Sequence, residues 1–500
     1  MPLPTLDDRT AGLLLHPTSL PGPHGVGDLG SEAHRFLEFL ARAGMRFWQM
    51  LPTGPTGCGN SPYQSPSSFA GNPLLISLDR LAEEGLLTPG DLGTPRTIAA
   101  PRKTVYAAAA RFKMPRLRKA FANFQKGPPS PDYTRFLTDN AGWLDDYVRF
   151  DALRDAHGGA SWVTWEEPLR RREPAALARV EDRLREEIEF RRFLQFQFHR
   201  QWAAIRTAAV RLGIGLIGDI PIYTAPESAD VWANPEIFAL KPDGAPAAVA
   251  GVPPDYFSRT GQRWGNPVYR WDVLKKERYA WWADRFRKNL RDFDVMRLDH
   301  FIGFARFWKI PAESRTARRG EWMPGPGEDF FRTMSAALGR LPFIAEDLGS
   351  VTPAVKALRD AFDFPGMRVL QFAWGGGEDN DHLPRHHVPN TVVYTGTHDN
   401  NTTAGWFAGA RPEERRHVCA FLRTDGREIA RDLTRAAFAS PARTAVIPVQ
   451  DLLGLGSEGR MNVPGTSRGN WEWRLEKDAL PDTLAEAVRT LAVEHGRARP

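Results

Sequence analysis

Apolar residues in this chain fall into two rhythms. Short, nearly unbroken apolar runs recur along it: GLLLHPTSL at 12–20, RFWQMLPTG at 46–54, GLIGDIPIY at 215–223 and VMRLDHF at 295–301. FIAEDLG at 343–349, MRVLQFAW at 367–374, TVVYTGTHDNN at 391–401 and TAVIPVQDLL at 444–453 continue the series. Between most of them the apolar positions shift to helical spacing, as in SEAHRFLEFLARAG at 31–44 and TPAVKALRDAF at 352–362. Apolar runs without polar alternation predict strands covered on both faces, as in a parallel sheet packed between helices. Regular alternation of strand and helix predicts an α/β fold, and eight such strands predict a closed (β/α)8 TIM barrel.

The second and third predicted strands are separated by far more chain than one crossover needs. Leu184, Ile188, Leu194, Phe198, Trp202 and Ile205 recur at close to helical spacing within a charge-laced frame, and Pro/Gly-rich joints at 88–102 and 127–132 break up the stretch before them. The expected organisation is one catalytic barrel over 1–500 with a helical insertion at 78–210. A second, irregular insertion at 225–275, rich in Pro, Gly and aromatics, is expected to carry an active-site loop. Little chain follows the eighth strand, so no C-terminal β-sandwich domain is expected.

Four of the runs deliver a carboxylate where a strand should stop: Asp219, Asp299, Glu346 and Asp399. Reactive groups at C-terminal strand ends are what the active face of such a barrel requires. Asp299 and Glu346 form the candidate catalytic pair. Two carboxylates across a glycosidic bond divide the work, one attacking the anomeric carbon and the other protonating the leaving oxygen. Arg297 precedes Asp299 by two residues and so shares its face of the strand, where a guanidinium favours an ionised nucleophile. Glu346 ends a very apolar strand, which favours a protonated acid.

His398 and Asp399, in THDNN, suit hydrogen bonds to sugar hydroxyls. A metal reading would pair His398 with His382, His386 or His387. No H-x-H strand or H-E-x-x-H helix supports it, so no metal is expected. Trp48 and Gln49 end the second predicted strand, SPYQSPSSFAGNP (61–73) follows it, and GVPPDYFSRTGQRWGNP (251–267) lies beyond the third. A sugar cleft needs flat apolar faces and planar amides. Tyr63, Tyr256, Phe257, Trp264 and Asn462 are the candidates, with Ser61, Asp219, Arg297, His398 and Asp347 completing the proposed contacts. Tyr256 and Phe257, behind Pro253 and Pro254 in a polar loop, read as the tip of a lid.

Composition excludes several alternatives. A formal charge of +6 over 500 residues, with Arg scattered among Asp and Glu, argues against nucleic acid as a partner. No apolar stretch approaches the roughly 20 residues of a membrane span, and the N-terminus lacks the pattern of a signal peptide. Only Cys58 and Cys419 are present, far apart, which points to a reducing compartment. A cytoplasmic monomer without a cofactor is the expectation.

At these same positions the chain resembles a known family. GLLLHPTSLPGPHGVGDLG, SPYQSPSSFAGNP, AGVPPDYFSRTGQRWGNP, the acidic strand ends and MNVPGTSRGNWEWR look like the amylomaltases, the 4-α-glucanotransferases of glycoside hydrolase family 77. The likeness runs from about residue 12 to 475. It implies an α-retaining transferase on an α-amylase-clan barrel, with Asp299 as nucleophile, Glu346 as acid/base and Asp399 as transition-state stabiliser. Maltooligosaccharides, amylose and starch- or glycogen-derived glucans are the implied substrates, and cyclic glucans an implied product. A hydrolase using water as acceptor is the nearest alternative. Cys58, in PTGCGNSPY, departs from the aromatic that relatives often carry there.

Overall fold

A computed structural model describes residues 2–93, 102–127, 130–254 and 258–499. Among the described residues twelve strands are formed: β1 Thr10–Leu14, β2 Phe47–Gln49, β3 Gly215–Pro221, β4 Ala248–Val252, β5 Gln262–Pro267, β6 Val295–Asp299, β7 Arg306–Pro311, β8 Glu321–Pro324, β9 Phe343–Ala345, β10 Gly366–Val369, β11 Thr391–Tyr394 and β12 Thr444–Pro448. Eight of them, in the order β1-β12-β11-β10-β9-β6-β3-β2, close into a parallel barrel. Each of the eight apolar runs supplies one barrel strand, and the strands are shorter than the runs. Asp219 and Asp299 fall among the last residues of β3 and β6, whereas Glu346 and Asp399 follow β9 and β11 in the loops beyond them. Gly12 shows how tightly the barrel is drawn: a Cβ there would stand 2.6 Å from the Phe47 carbonyl oxygen on β2.

The stretch 225–275 is more regular than its composition suggests. It supplies β4 and β5, which join β7 and β8 in a four-stranded antiparallel sheet of order β5-β4-β7-β8. Val249, Ile310 and Ala317 form a small core of its own. Both hairpins of this sheet grow from the C-terminal ends of barrel strands, β3 and β6, so the sheet stands at the end of the barrel where the acidic residues lie. Tyr256 and Phe257 fall between β4 and β5 in the chain and lie outside the described residues.

Helices fill most of the long connection between β2 and β3, the longest being Tyr106–Phe124, Pro131–Ala156 and Arg185–Leu212. The last buries Ile188, Phe193, Leu194, Phe198, Trp202 and Ile205 on its inner side. Two glutamines on it grip the chain that follows β2. Gln195 accepts from the Gly71 amide at 2.8 Å and donates to the Gly71 carbonyl at 2.9 Å. Gln201 does the same at Ser77, at 2.7 and 3.1 Å. A buried amide side chain bonded to both polar groups of one residue acts as a local strand partner, and it leaves neither side unsatisfied. The loop carrying Tyr63 is thereby anchored to the insertion.

The barrel seam between β1 and β12 is latched at its N-terminal end. Arg497, 2% exposed, donates to the carbonyls of Thr10, Ala437, Phe438, Ser440, Ala442 and Arg443 at 2.8 to 3.2 Å. Three of those carbonyls lie at or just beyond the C-terminal end of the helix Ile429–Ala439, where a cation is favoured. Arg497→Met removes this donor from all six carbonyls; Arg9 still donates to those of Phe438, Ser440 and Ala442 and the Thr10 amide to that of Arg443, and stability is expected to fall by about 2 kcal/mol. Thermal denaturation measures the loss. The turnover number of the folded variant is expected to stay at the wild-type value, because the latch is at the opposite end of the barrel from the acidic residues.

Candidate active site

The register of β3 against β6 builds the centre of the site. Asp219 pairs with Arg297, and Pro221 with Asp299. Arg297 and Asp299, two apart on one strand, face the same side. The Arg297 Nη1 donates to both oxygens of Asp219, at 2.9 and 2.8 Å, and to Asp299 Oδ1 at 3.0 Å. Arg297 and Asp219 have side chains only 4% and 0% exposed, whereas Asp299 is 28% exposed and open to the cleft. Burial disfavours the Arg297 charge, but Asp219 and Asp299 outweigh it and hold the guanidinium well above its ordinary value. Burial pushes Asp219 up, with Arg297 opposing it.

β9 lies next to β6, with Ala345 paired to Leu298, so Glu346 emerges beside Asp299. The Glu346 Oε2 accepts from the His300 amide at 2.7 Å, and its Oε1 from the Leu348 amide at 3.2 Å. Burial pushes Glu346 up to about 8; Arg297 pulls against it and Asp299 adds to it. Burial thus favours the protonated form that a general acid needs.

Tyr63 completes the wall facing Asp219. Its hydroxyl lies 2.9 Å from Asp219 Oδ2 and 2.9 Å from His398 Nε2, and its ring stacks on His398 at 5.3 Å. Ser61 caps the turn before it, its hydroxyl accepting from the Tyr63 amide at 3.3 Å. Asp399 stands next to His398, 3.5 Å from its Nε2 and with its side chain 45% exposed. Asn462 Nδ2 donates to Asp399 Oδ1 at 2.6 Å. Trp264, half-buried on β5, packs edge-on against His300 at 4.8 Å.

Tyr63, Asp219, Arg297, Asp299 and His398 thus form one bonded network, with the Asp399–Asn462 pair next to His398 and Glu346 beside Asp299. Asp347 is not part of it. Adjacent residues of an extended chain point oppositely, so with Glu346 toward the cleft, Asp347 turns into the scaffold. There it accepts from Arg359 Nη1 at 2.5 Å and from the Met367 amide at 2.7 Å. Trp48 turns away from the cleft: it is fully buried against Phe36 of the helix Ser31–Arg42, and its indole donates to the Leu15 carbonyl at 2.7 Å. Gln49 accepts from the Tyr394 hydroxyl inside the barrel at 2.9 Å. His387 is occupied by Ser440 and the His382 carbonyl, and His382 Nδ1 by the Val369 amide.

Three contributors escape sequence reading. His300 has φ 51°, an uncommon value for a residue with a Cβ, and that backbone aims its amide at Glu346. Its position directly after Asp299 was the available signal. Arg460 donates to the Asp399 carbonyl at 2.9 Å and to the Asn462 carbonyl at 2.7 Å. Trp471 packs against Tyr63 at 5.7 Å. Trp471 lies within the MNVPGTSRGNWEWR stretch and Arg460 just before it, but neither contact can be read from the sequence around it.

A family model described as 4-alpha-glucanotransferase, that of glycoside hydrolase family 77, matches residues 15–480. The chain belongs to glycoside hydrolase family 77. It is 50% identical to the 4-alpha-glucanotransferase of Thermus thermophilus over 97% of this chain and 98% of that one. It is 48% identical to the 4-alpha-glucanotransferase of Synechocystis over 98% and 99% of the two chains. Among solved structures, the amylomaltase of Streptococcus agalactiae in complex with acarbose superposes with a TM-score of 0.94 at 36% identity. That match covers 98% of this chain and all of the other.

The Glu346 environment of this family 77 member has a consequence for stability. Between the ordinary value of 4.5 and about 8, the folded chain holds a proton on Glu346 that the unfolded chain has released. The contribution of this group to stability therefore falls as pH rises through that window. Glu346→Gln removes the titration. The melting temperature of the variant minus that of the wild type is expected to grow as pH rises across the window. A difference independent of pH would overturn the buried neutral acid.

Proposed function

We propose that this family 77 enzyme transfers an α-1,4-glucan segment to the 4-hydroxyl of another glucan or of glucose, by a retaining double displacement. The observation that carries the reading is the unequal pair at the ends of β6 and β9. Asp299 is partly open to the cleft and bonded to Arg297, whereas Glu346 is buried and pushed toward its protonated form.

In the first step Asp299 attacks the anomeric carbon while Glu346 protonates the glycosidic oxygen. The bond to the leaving glucan breaks, and the retained segment becomes an ester of Asp299. In the second step Glu346, now a carboxylate, takes the proton from the acceptor 4-hydroxyl. That oxygen displaces Asp299 and an α-1,4 bond is restored. Asp399 and His398 bond the ring hydroxyls, contacts that strengthen as the sugar takes on oxocarbenium character. A bond of the same kind is made as is broken, so the exchange requires no cofactor or energy source. When the acceptor is the far end of the same chain, a cyclic glucan results.

Maltooligosaccharides, amylose and starch- or glycogen-derived glucans are the proposed substrates, and a cytoplasmic monomer the proposed form. The two unpaired cysteines support a reducing compartment. Among the described residues no helix is long and apolar enough to cross a membrane. In this reading one catalytic barrel spans 1–500. Segment 78–210 is a helical insertion that braces the Tyr63 loop, and 225–275 an insertion whose Tyr256 and Phe257 shield the intermediate from water. Trp264 supplies an apolar face beside the acid.

Incubation with maltotriose tests transfer. Glucose plus a ladder of longer maltodextrins, with total reducing ends unchanged, is the expected result. A steady rise in reducing ends would make the enzyme a hydrolase. Asp299→Asn keeps the side-chain volume and removes the nucleophile's charge, so disproportionation should be abolished with maltodextrin binding retained. Wild-type turnover would refute the assignment. Glu346→Gln should slow glycosylation by ordinary glucans about 10²–10⁴-fold. With α-maltosyl fluoride, whose leaving group needs no proton, the loss should be much smaller. Equal losses on both donors would refute the acid role.

A further inference from the structure

The segment carrying His398 and Asp399 leaves β11 after Tyr394 and enters the helix Thr403–Gly409. Residues 395–402 belong to neither a strand nor a helix, so no ladder of backbone bonds sets their path. Beyond the Gln371 amide on the Thr395 carbonyl and the Asn400 amide on the Thr397 carbonyl, both at 3.2 Å, side chains set it. Asn400 Oδ1 accepts from the Thr397 amide and hydroxyl, both at 2.9 Å, and Gln371 Nε2 donates to the Asn401 carbonyl at 2.9 Å. Those bonds shape the middle of the segment.

Both of its ends meet one buried carboxylate. Asp451, in the helical turn Val449–Leu452 that follows β12, is 2% exposed. Its Oδ2 accepts from the Thr395 hydroxyl at 2.5 Å and from the Thr403 hydroxyl at 2.7 Å. Its Oδ1 accepts from the Thr403 amide at 2.6 Å. These partners are hydroxyls and an amide, not a cation. A carboxylate held in the interior by neutral donors is a costly choice where only space needs filling. Three donors converging on one point explain it, since a carboxylate offers two acceptor oxygens and lone pairs for all three.

We propose that Asp451 is a positioning residue for the transfer reaction: by pinning Thr395 and Thr403, it sets where His398 and Asp399 stand against the reacting sugar. The proposal rests on the reading of Asp399 as the stabiliser of the transition state. Asp451 touches no substrate and acts only through the segment it closes. Asp399 is supported from the other side by Asn462 and Arg460. Without Asp451 the segment loses the one group that ties its two ends together, and its remaining supports act only on its middle and on the Asp399 side. A displacement of an ångström at a group that bonds the reacting ring is worth about 10²-fold in rate.

The test is fluoride release in the first turnover of α-maltosyl fluoride, which yields a rate constant and an amplitude separately. Asp451→Ala is expected to slow the rate constant about 10²-fold at full amplitude, with maltotriose affinity near wild type. Asp451→Asn should recover most of the rate. Its carbonyl oxygen still accepts from the Thr403 amide, and its NH2 group donates to threonine hydroxyls that can rotate. A merely structural role would leave part of the protein inactive, lowering the amplitude and leaving the rate constant alone. That result, or an unchanged rate constant at full amplitude, overturns the proposal. If Asp451→Ala does not fold, Thr395→Val and Thr403→Val each delete one bond at nearly constant volume, and wild-type rate constants in both would overturn it equally. Asp399→Asn is the control. A wild-type rate there removes the stabiliser and this proposal together, whereas a crippled Asp399→Asn beside a wild-type Asp451→Ala removes this proposal alone.

Discussion

One nitrogen of one arginine holds the centre of this site together. Arg297 Nη1 donates to three carboxylate oxygens belonging to two aspartates. A buried guanidinium that lost its carboxylates would be an uncompensated charge, and a buried Asp219 without Arg297 would be another. Neither can leave without stranding its partner. The arrangement also orders the protons around it. The Tyr63 hydroxyl donates to Asp219 Oδ2, whose carboxylate Arg297 holds at both oxygens against the burial that pushes it up, so the Tyr63 proton lies between them. The Tyr63 oxygen must then accept from His398, which puts hydrogen on His398 Nε2. Burial lowers the His398 pKa, so the ring is neutral and that tautomer is the one present. From a strand register and one guanidinium, the donor and acceptor character of the whole wall follows.

The division of labour between Asp299 and Glu346 follows from the same register. Both carboxyls lie within the reach of Arg297, yet only Asp299 is bonded to it, and only Asp299 is partly open to solvent. Glu346 has backbone amides for partners, one of them presented by the left-handed backbone at His300. Amides stabilise a carboxylate less than a guanidinium does. Desolvation therefore wins at Glu346. Burial pushes Glu346 toward its protonated form, while Asp299, one strand away, keeps a guanidinium partner and an opening to the cleft, the asymmetry a retaining mechanism uses.

What the sequence reveals of this arrangement depends on how local the signal is. The barrel strands are legible because burial on both faces demands apolar runs, and their ends are legible because a carboxylate after such a run has few structural uses. β4 and β5 are not. QRWGNP, the stretch that forms β5, alternates weakly and contains Gly and Pro, and its pairing is with β4 at one edge of a small sheet whose other strands come from another loop. Asp347 reads as a site residue because it is next to Glu346, and the alternation of an extended chain sends it the other way. Trp48 reads as a rim aromatic because it is near a strand end, yet it is buried between the barrel and the helix Ser31–Arg42, where its ring meets Phe36 at 4.9 Å. Arg460 and Trp471 reach Asp399 and Tyr63 across long stretches of chain. Tertiary placement alone makes them part of the site.

The insertion between β2 and β3 acquires a role from the same reasoning. Tyr63 sits on a loop of short 3-10 turns, Cys58–Asn60, Pro62–Gln64 and Pro73–Leu75, none of which forms a ladder with a strand. Such a loop has too few backbone bonds of its own to hold a hydroxyl within hydrogen-bonding range of two partners at once. The helix Arg185–Leu212 supplies what is missing. Gln195 and Gln201 lie six residues apart on it and clasp Gly71 and Ser77, also six residues apart. The helix advances 1.5 Å per residue and an extended chain more than twice that, so the matched spacing requires the clasped loop to be compacted, and the turn Pro73–Leu75 between the two glutamine contacts does this. The insertion therefore works as a rigid former against which an otherwise irregular active-site loop is fitted, and Tyr63 owes its fixed hydroxyl to a helix packed behind that loop.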